Sequence, residues 1–335
     1  NGSDTVSLGI ALTTTGTNVG IKTNNNDTEA QSNTVTVTKT GSIKTTGDYL
    51  AGIFNDGASN KTTVSGSITT GGVDSSGIWN KGDTNTTTLT STGVITVNGA
   101  ESDGIYNDGV NNITIVHGSI FVNGNGESSL SGDWSSGITN ISNYSKTTLS
   151  GSIKTTGDYL AGIYNEGAFN TTTVSGSITT DGTVAYGIYN WGDNNTTTVS
   201  GSITTTGEKA HGIYNWDDNN MTIISGTVKA TGAKSAALYN AVGDGNSFTL
   251  NEGATIIGDI LASDATNNAA DATNSQLIFN LGASTSYAYS VSGKGEGTGA
   301  GQWIFSDLDR SSQVVTTTGT GCDTTITDAG NDTCN

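Results

Sequence analysis

Residues 195–220 read NTTTVSGSITTTGEKAHGIYNWDDNN, and this stretch decides the fold. The Thr-Thr-Thr-Val-Ser and Ser-Ile-Thr-Thr-Thr segments are rich in β-branched residues, and neither carries the apolar stripe of an amphipathic helix. A glycine corner at Gly201 separates them, and a Gly-Glu-Lys turn precedes a third segment that runs from Ala210 to Asn215. Three short segments separated by Gly, Asn and Asp predict three strands that together make one triangular coil.

The same unit recurs along most of the chain. A Gly-Ile-aromatic-Asn step, or a variant of it, follows each Gly-Ser-Ile-like step, and residues 41–60 and 151–170 match at 17 of 20 positions. The Gly-Ser-Ile-like steps are spaced by 25, 27, 25, 33, 25, 25 and 25 residues and begin at Gly41, Gly66, Gly93, Gly118, Gly151, Gly176, Gly201 and Gly226. An isolated coil cannot bury its apolar face, whereas stacked coils can. The period therefore predicts an all-β parallel β-solenoid with about 25 residues per coil.

Equivalent residues of successive coils are expected to stack into ladders. The isoleucines of the two steps predict two internal apolar ladders, and the valine or leucine that ends the first strand predicts a third. The asparagine that ends the third strand tolerates a turn and can bond to the equivalent asparagine above and below, so we interpret it as structural. This predicted ladder consists of Asn55, Asn80, Asn107, Asn140, Asn165, Asn190, Asn215 and Asn240.

Composition restricts the classes of function. With 48 Gly, no Pro and 32% apolar residues, a conventional globule with a large central core is unexpected, whereas a lack of Pro suits a chain whose backbone N–H groups all belong to ladders. The net charge of −18 argues against nucleic acid and anionic lipid as partners. No apolar run reaches membrane-spanning length, and a start at Asn1 without Met predicts a processed or excised chain.

The Gly-Ile-Tyr-Asn and Asn-Thr-Thr-Thr-Val-Ser-Gly-Ser-Ile-Thr-Thr-Thr-Gly repeats resemble the passenger repeats of bacterial autotransporters, over about residues 7–260. Residues 276–309 are similar to the capping end of such passengers. The resemblance implies a right-handed parallel β-helix, secretion to the cell surface, and adhesion or surface display, since most members are adhesins or surface and matrix proteins.

The domain organisation follows from the repeat and its irregular ends. We expect N-terminal degenerate coils in residues 1–40, solenoid repeats in 41–260, a C-terminal solenoid or cap in 261–320, and a terminal loop in 321–335. In a secreted chain, Cys322 and Cys334 would close that loop as a disulfide. The 33-residue interval predicts an inserted loop near residues 122–136.

Departures from the repeat give the candidate contacts with a partner. Trp134 lies on the inserted loop, and alternation places the rings between Ile and Asn on the outside of the solenoid, where they either bind a partner or only stabilise the stack. The candidate contacts are Trp134, Tyr164, Tyr189, Tyr214, Trp191 and Trp216. Acidic turns are compatible with Ca²⁺ or with a solvated acidic face, and they contain Asp56, Asp108, Glu166, Asp193, Asp217 and Asp218.

Eleven Asn-X-Ser/Thr sequons are candidate glycosylation sites in a host that modifies them. They begin at Asn1, Asn26, Asn60, Asn85, Asn112, Asn140, Asn143, Asn170, Asn195, Asn220 and Asn331.

No motif for catalysis, cofactor binding or metal binding stands out in the sequence. The histidines, His117 and His211, occupy variable positions of the repeat, and no nucleophile or metal-ligand spacing appears. We therefore expect a non-enzymatic, secreted cell-surface shaft without a cofactor, whose partners are glycans or proteins of a host or neighbouring cell. The alternative is a structural subunit that binds copies of itself and forms an extracellular filament or matrix.

Overall fold

The structure is a computed structural model that describes residues 4–24, 32–126, 135–262, 275–280, 286–289, 291–292, 303–307, 314–317, 325–327 and 332–334. These residues form strands joined by turns, and none of them forms a helix. The described part accordingly holds no helix of the length and hydropathy that crossing a bilayer requires.

The described residues between 5 and 262 form ten coils, and each coil contributes one strand to each of three parallel sheets. The predicted parallel β-solenoid with a period near 25 residues is confirmed. The first sheet contains Thr5–Leu8, Thr34–Val37, Lys61–Val64, Thr86–Leu89, Ile113–Val116, Lys146–Leu149, Thr171–Val174, Thr196–Val199, Met221–Ile224, Ser247–Asn251, Ser275–Asn280, Trp303–Asp307 and Asp332–Cys334. The second contains Ala11–Thr14, Ser42–Thr45, Ser67–Thr70, Val94–Val97, Ser119–Val122, Ser152–Thr156, Ser177–Asp181, Ser202–Thr205, Thr227–Ala230 and Thr255–Ile257. The third contains Ile21–Asn24, Ile53–Asp56, Ile78–Lys81, Ile105–Asn107, Ser135–Asn140, Leu160–Asn165, Tyr186–Asn190, Ile213–Asn215, Ala236–Asn240, Asp259–Ala262 and Val291–Ser292.

The strand register places equivalent residues of neighbouring coils over one another. Ile163 pairs with Ile188, and Ile188 pairs with Ile213. The 33-residue interval leaves this register intact, because its extra residues lie between Ser119–Val122 and Ser135–Asn140 of one coil. Residues 127–134 of that insertion, with Trp134, lie outside the described residues.

A single apolar core runs along the axis inside the three sheets, and its isoleucines are almost completely buried. The Gly-Ile step has a steric cause. A Cβ built on Gly162 would collide with Cγ2 of Ile178 and lie 2.6 Å from the carbonyl oxygen of Gly187, so the next coil leaves room only for glycine.

Two corners of a typical coil hold a non-glycine residue in the left-handed region, as at Tyr159 (φ 58°) and Phe169 (φ 59°). An asparagine that does not belong to the predicted ladder closes the second corner. Asn170 Nδ2 donates to the carbonyl of Gly167 at 2.8 Å, and the Asn170 backbone N–H donates to Asn195 Oδ1 at 2.7 Å. A second, unpredicted asparagine ladder thus stabilises this corner. It contains Asn33, Asn60, Asn85, Asn112, Asn170, Asn195, Asn220 and Asn246, with Ser145 in one coil.

The first sheet continues beyond the ten coils. Ser275–Asn280 and Trp303–Asp307 extend it in parallel, whereas Asp332–Cys334 pairs with Trp303–Asp307 in the antiparallel sense. A further small sheet contains Ser286–Tyr289, Val314–Thr317 and Thr325–Thr327. Cys322, and with it the predicted disulfide, lies outside the described residues.

Candidate functional site

The asparagine ladder that the repeat predicts lies inside the third sheet and not on a ligand-binding surface. Asn190 is completely buried, and its Nδ2 donates to Asn215 Oδ1 at 2.9 Å and to Thr197 Oγ1 at 3.2 Å. The same Asn-to-Asn bond, at 2.7–3.0 Å, joins every neighbouring pair from Asn55 to Asn240. These residues therefore hold the coils together and are closed to a partner.

The outer face of the third sheet carries the ring column that alternation predicts. In the eight coils from Phe54 to Tyr239, the position before the ladder asparagine points away from the core. We call this set the ring column, and it consists of Phe54, Trp79, Tyr106, Thr139, Tyr164, Tyr189, Tyr214 and Tyr239. Thr139 is the one member without a ring.

Three rings of the column that follow Thr139 are buried by their neighbours. The exposed fractions of Tyr164, Tyr189 and Tyr214 are only 1%, 2% and 5%. Tyr186 and His211 pack on one side of the Tyr189 and Tyr214 rings, and Tyr164 stacks on Tyr189 at 5.1 Å. On the other side, two indole rings stack 5.5 Å apart; they belong to Trp191 and Trp216.

Tyr164, although only 1% exposed, borders the cleft described below. The expectation that Tyr189 and Tyr214 offer open ring faces to a partner needs correction. The rings do point outward, but bulky side chains in the two adjacent columns cover them. Trp191 and Trp216 stay half-buried at the edge of this cluster.

Burial also determines protonation in the cluster. The pKa of His211 is lowered to about 3 because desolvation penalises the imidazolium, and its Nδ1 accepts a hydrogen bond from the Ala236 N–H at 2.9 Å. Burial raises the pKa of Tyr189 and Tyr214 far above the usual range, with neighbouring tyrosines adding to the effect. The cluster is accordingly neutral at physiological pH and behaves as a second, external core.

Before Thr139 the column is open, and a cleft with a volume of about 370 Å³ lies on the face of the sheet. It forms because Thr139 leaves a gap in the ring column, while Ser76 stands in the adjacent column where Tyr186 and His211 fill the later coils. The cleft is lined by Tyr49, Leu50, Asp74, Ser76, Trp79, Glu101, Asp103, Tyr106, Thr139, Ile141, Tyr164 and Glu166. Trp79 and Tyr106 are half-buried, so part of each ring remains accessible.

Hydrogen bonds hold the floor of this cleft. Asp103, only 7% exposed, accepts bonds from the Ser136 N–H and the Thr139 hydroxyl, both at 2.7 Å. Beneath it, the Ser75 N–H donates to Ser102 Oγ and the Ser102 N–H donates to Ser135 Oγ, both at 2.8 Å. The cleft is therefore preformed, as small-molecule sites usually are.

In the later coils, the carboxylates of the acidic turns differ in their surroundings. Asp193 and Asp218 each accept a backbone N–H bond from the next coil, at 2.9 Å and 2.7 Å, which gives their carboxylates a structural role. Burial, Asp193 and Asp218 raise the pKa of Asp217 to about 6. Within the described part of the chain, no group of three or more His, Cys, Asp or Glu residues is placed to hold a metal ion.

Most of the described sequons are closed to modification, because their asparagines lie in the two buried ladders. Asn143 is an exception, since it is exposed at a corner where its Oδ1 accepts the Ala168 N–H at 2.8 Å. The buried sequon residues are Asn60, Asn85, Asn112, Asn140, Asn170, Asn195 and Asn220, each at most 1% exposed.

No protein-family model, curated protein or solved structure matches this chain. The candidate site is therefore defined by its geometry alone. Of the contacts that the sequence predicts, Tyr164 lines the cleft. Tyr189, Tyr214, Trp191 and Trp216 lie along the filled part of the ring column, so the prediction did not single out the interruption at which the cleft lies. The available signal was Thr139, which replaces a ring in the otherwise regular Gly-Ile-aromatic-Asn step.

Proposed function

We propose that this chain is the extracellular shaft of a surface-displayed protein, similar in design to an autotransporter passenger, and that it binds glycans without altering them. The cleft on the third sheet is the proposed binding site. The observation that carries the proposal is the interruption of the ring column at Thr139, which leaves Trp79 and Tyr106 beside carboxylates in a preformed groove.

The chemistry of the lining suits a saccharide. Aromatic rings offer a flat apolar surface to the C–H face of a sugar, and carboxylates accept hydrogen bonds from its hydroxyl groups. The lining combines Trp79 and Tyr106 with the carboxylates of Glu101 and Glu166. The volume of about 370 Å³ falls within the range of ligand sites in general.

A substitution that fills the cleft provides the test. In Thr139→Tyr, the ring missing from the column is restored between Tyr106 and Tyr164, at a position where the register already accommodates tyrosine. The variant loses the hydrogen bond from the Thr139 hydroxyl to Asp103, but Asp103 still accepts the hydrogen bond from the Ser136 N–H. The fold should therefore survive while the cleft closes.

The assay is a glycan array followed by calorimetry on the glycans that bind. We expect the wild-type chain to bind, Thr139→Tyr and Trp79→Ala to lose at least tenfold in affinity, and Thr148→Tyr on the first sheet to bind like wild type. Equal binding by Thr139→Tyr and wild type would place the site elsewhere.

Two further measurements address the rest of the proposal. Chromatography of a bound glycan after long incubation should recover it intact, and shorter products would contradict a non-catalytic role. Negative-stain images should show single short rods, whereas continuous fibres would favour the filament alternative.

A further inference from the structure

The cleft is acidic as well as aromatic. Four of its lining residues carry carboxyl groups, and they come from the corners and the face of successive coils: Asp74, Glu101, Asp103 and Glu166. No lysine, arginine or histidine is among the described residues that line it. A ligand in the groove therefore meets negative charge from several sides.

The basic residue that the third sheet carries on these five coils, Lys81, belongs to an adjacent column. It pairs in register with Asp56, and its charge acts on Asp108, whose pKa burial raises and Lys81 partly lowers again. Lys81 is thus set between two aspartates of its own column and does not line the groove.

The groove is long. Its lining residues come from five successive coils, from Tyr49 to Glu166, and four coil spacings at about 4.8 Å make about 19 Å along the axis of the solenoid. A volume of about 370 Å³ spread over that length describes a narrow channel. Its shape fits a linear chain better than a compact or branched ligand.

We infer that the cleft selects a linear saccharide whose rings carry free amino groups, lying parallel to the axis of the solenoid. This inference rests on the proposed function. Aromatic rings contact the C–H faces of the sugar, and the carboxylates pair with its ammonium groups; the same charges repel uronic, sialylated or sulfated chains. The inward side of the groove holds one carboxylate, Asp103, in fixed orientation, while Asp74 and Glu101 are exposed at the rim.

Calorimetry with four tetramers separates the possible ligands: β-1,4-linked glucosamine, β-1,4-linked N-acetylglucosamine, galacturonic acid and lysine. The glucosamine tetramer should bind about tenfold more tightly than the acetylated one at low salt, as expected for two or three exposed ion pairs that each contribute a few-fold. Added salt should shrink this ratio, because it screens exposed charges. Galacturonate should not bind.

Charge removal at the rim gives the matched test. In Asp74→Asn combined with Glu101→Gln, the ratio between the amino and acetylated tetramers should fall to about twofold while binding of the acetylated tetramer is retained. Glu208→Gln, at an exposed corner of a later coil, should leave the ratio unchanged.

Three results would overturn the inference. Equal affinity for the two glucosamine-based tetramers would mean that the groove recognises the shape of the saccharide and not its charge, and the proposed glycan-binding function would be unaffected. Lysine tetramer binding as tight as glucosamine would assign the groove to a basic peptide. Failure of every saccharide here and on the array would refute the proposed function itself.

Discussion

Replacing Asn190 by alanine tests what holds one coil to the next. Asn190 is completely buried, accepts a bond from Asn165 Nδ2 at 2.9 Å, and donates to Asn215 Oδ1 and Thr197 Oγ1. After the substitution, Asn165 Nδ2 keeps its bond to Thr172 Oγ1 at 3.1 Å, but Asn215 Oδ1 and Thr197 Oγ1 lose this donor.

The expected cost follows from these two acceptors. A buried polar group left without a partner costs about 1–3 kcal/mol, and the lost side-chain volume adds to this. We therefore expect Asn190→Ala to lower the free energy of unfolding by roughly 3–5 kcal/mol. Because each coil contacts only its neighbours, the loss should be concentrated in the coils that contain Asn165, Asn190 and Asn215.

The assay combines urea denaturation followed by circular dichroism with hydrogen exchange. Asn98→Ala is the matched control, since exposed Asn98 also forms an Asn-to-Asn bond between coils, from Asn123 Nδ2 at 2.9 Å, but in contact with water. It should cost under about 0.5 kcal/mol. If Asn190→Ala and Asn98→Ala lowered the free energy of unfolding equally within that margin, the claim that burial strengthens the ladder bonds would be refuted. The same conclusion would follow if amide hydrogen exchange in Asn190→Ala rose evenly along all coils.

Three further predictions concern the cluster, the core and the sequons. The pKa of His211 is about 3 in the folded chain and near its ordinary value of 6.5 in the unfolded chain, so stability should be full above pH 6.5 and fall by about 1.4 kcal/mol per pH unit between pH 6.5 and pH 3. Urea titrations of His211→Gln should lack this slope. Gly162→Ala should cost about 1–3 kcal/mol in urea denaturation, because its Cβ collides with the next coil, and an unchanged midpoint would contradict the packing. Secretion through a eukaryotic N-glycosylating pathway should attach glycans to the ladder asparagines before folding, and the chains that carry them should misfold because these asparagines are buried in the folded chain. Mass spectrometry of the folded fraction should find a glycan at Asn143 and none on the ladders. Removing the ladder sequons by mutating their Ser or Thr is not a neutral control, because several of these residues, such as Thr197, are themselves buried.

Much of the fold could be predicted because a constant repeat length determines which residues of neighbouring coils lie over one another. Once residues 25 apart occupy neighbouring coils, the isoleucines and Asn55 to Asn240 must stack, whatever the details of the turns. The second asparagine ladder escaped prediction, although Asn170, Asn195 and Asn220 recur with the same period. Their recurrence looked like a glycosylation motif, and only the corner geometry shows that their amides close a left-handed turn.

The site was less predictable, because it depends on side chains that are distant in sequence and lie in different columns. The sequence places Tyr189 and Tyr214 on the outside, but whether an outward ring is open depends on Tyr186, His211 and the tryptophans beside it. The same alternation therefore produces a covered cluster in the later coils and an open groove in the earlier ones.

The sequence by itself determined the period, the parallel stacking and the residues that point inward, since these follow from local strand alternation repeated at a constant interval. Tertiary structure alone decided which outward residues remain accessible. Accessibility is a property of neighbouring columns and coils together, and the gap at Thr139 opens into a cleft beside Ser76, which is small where the later coils carry Tyr186 and His211.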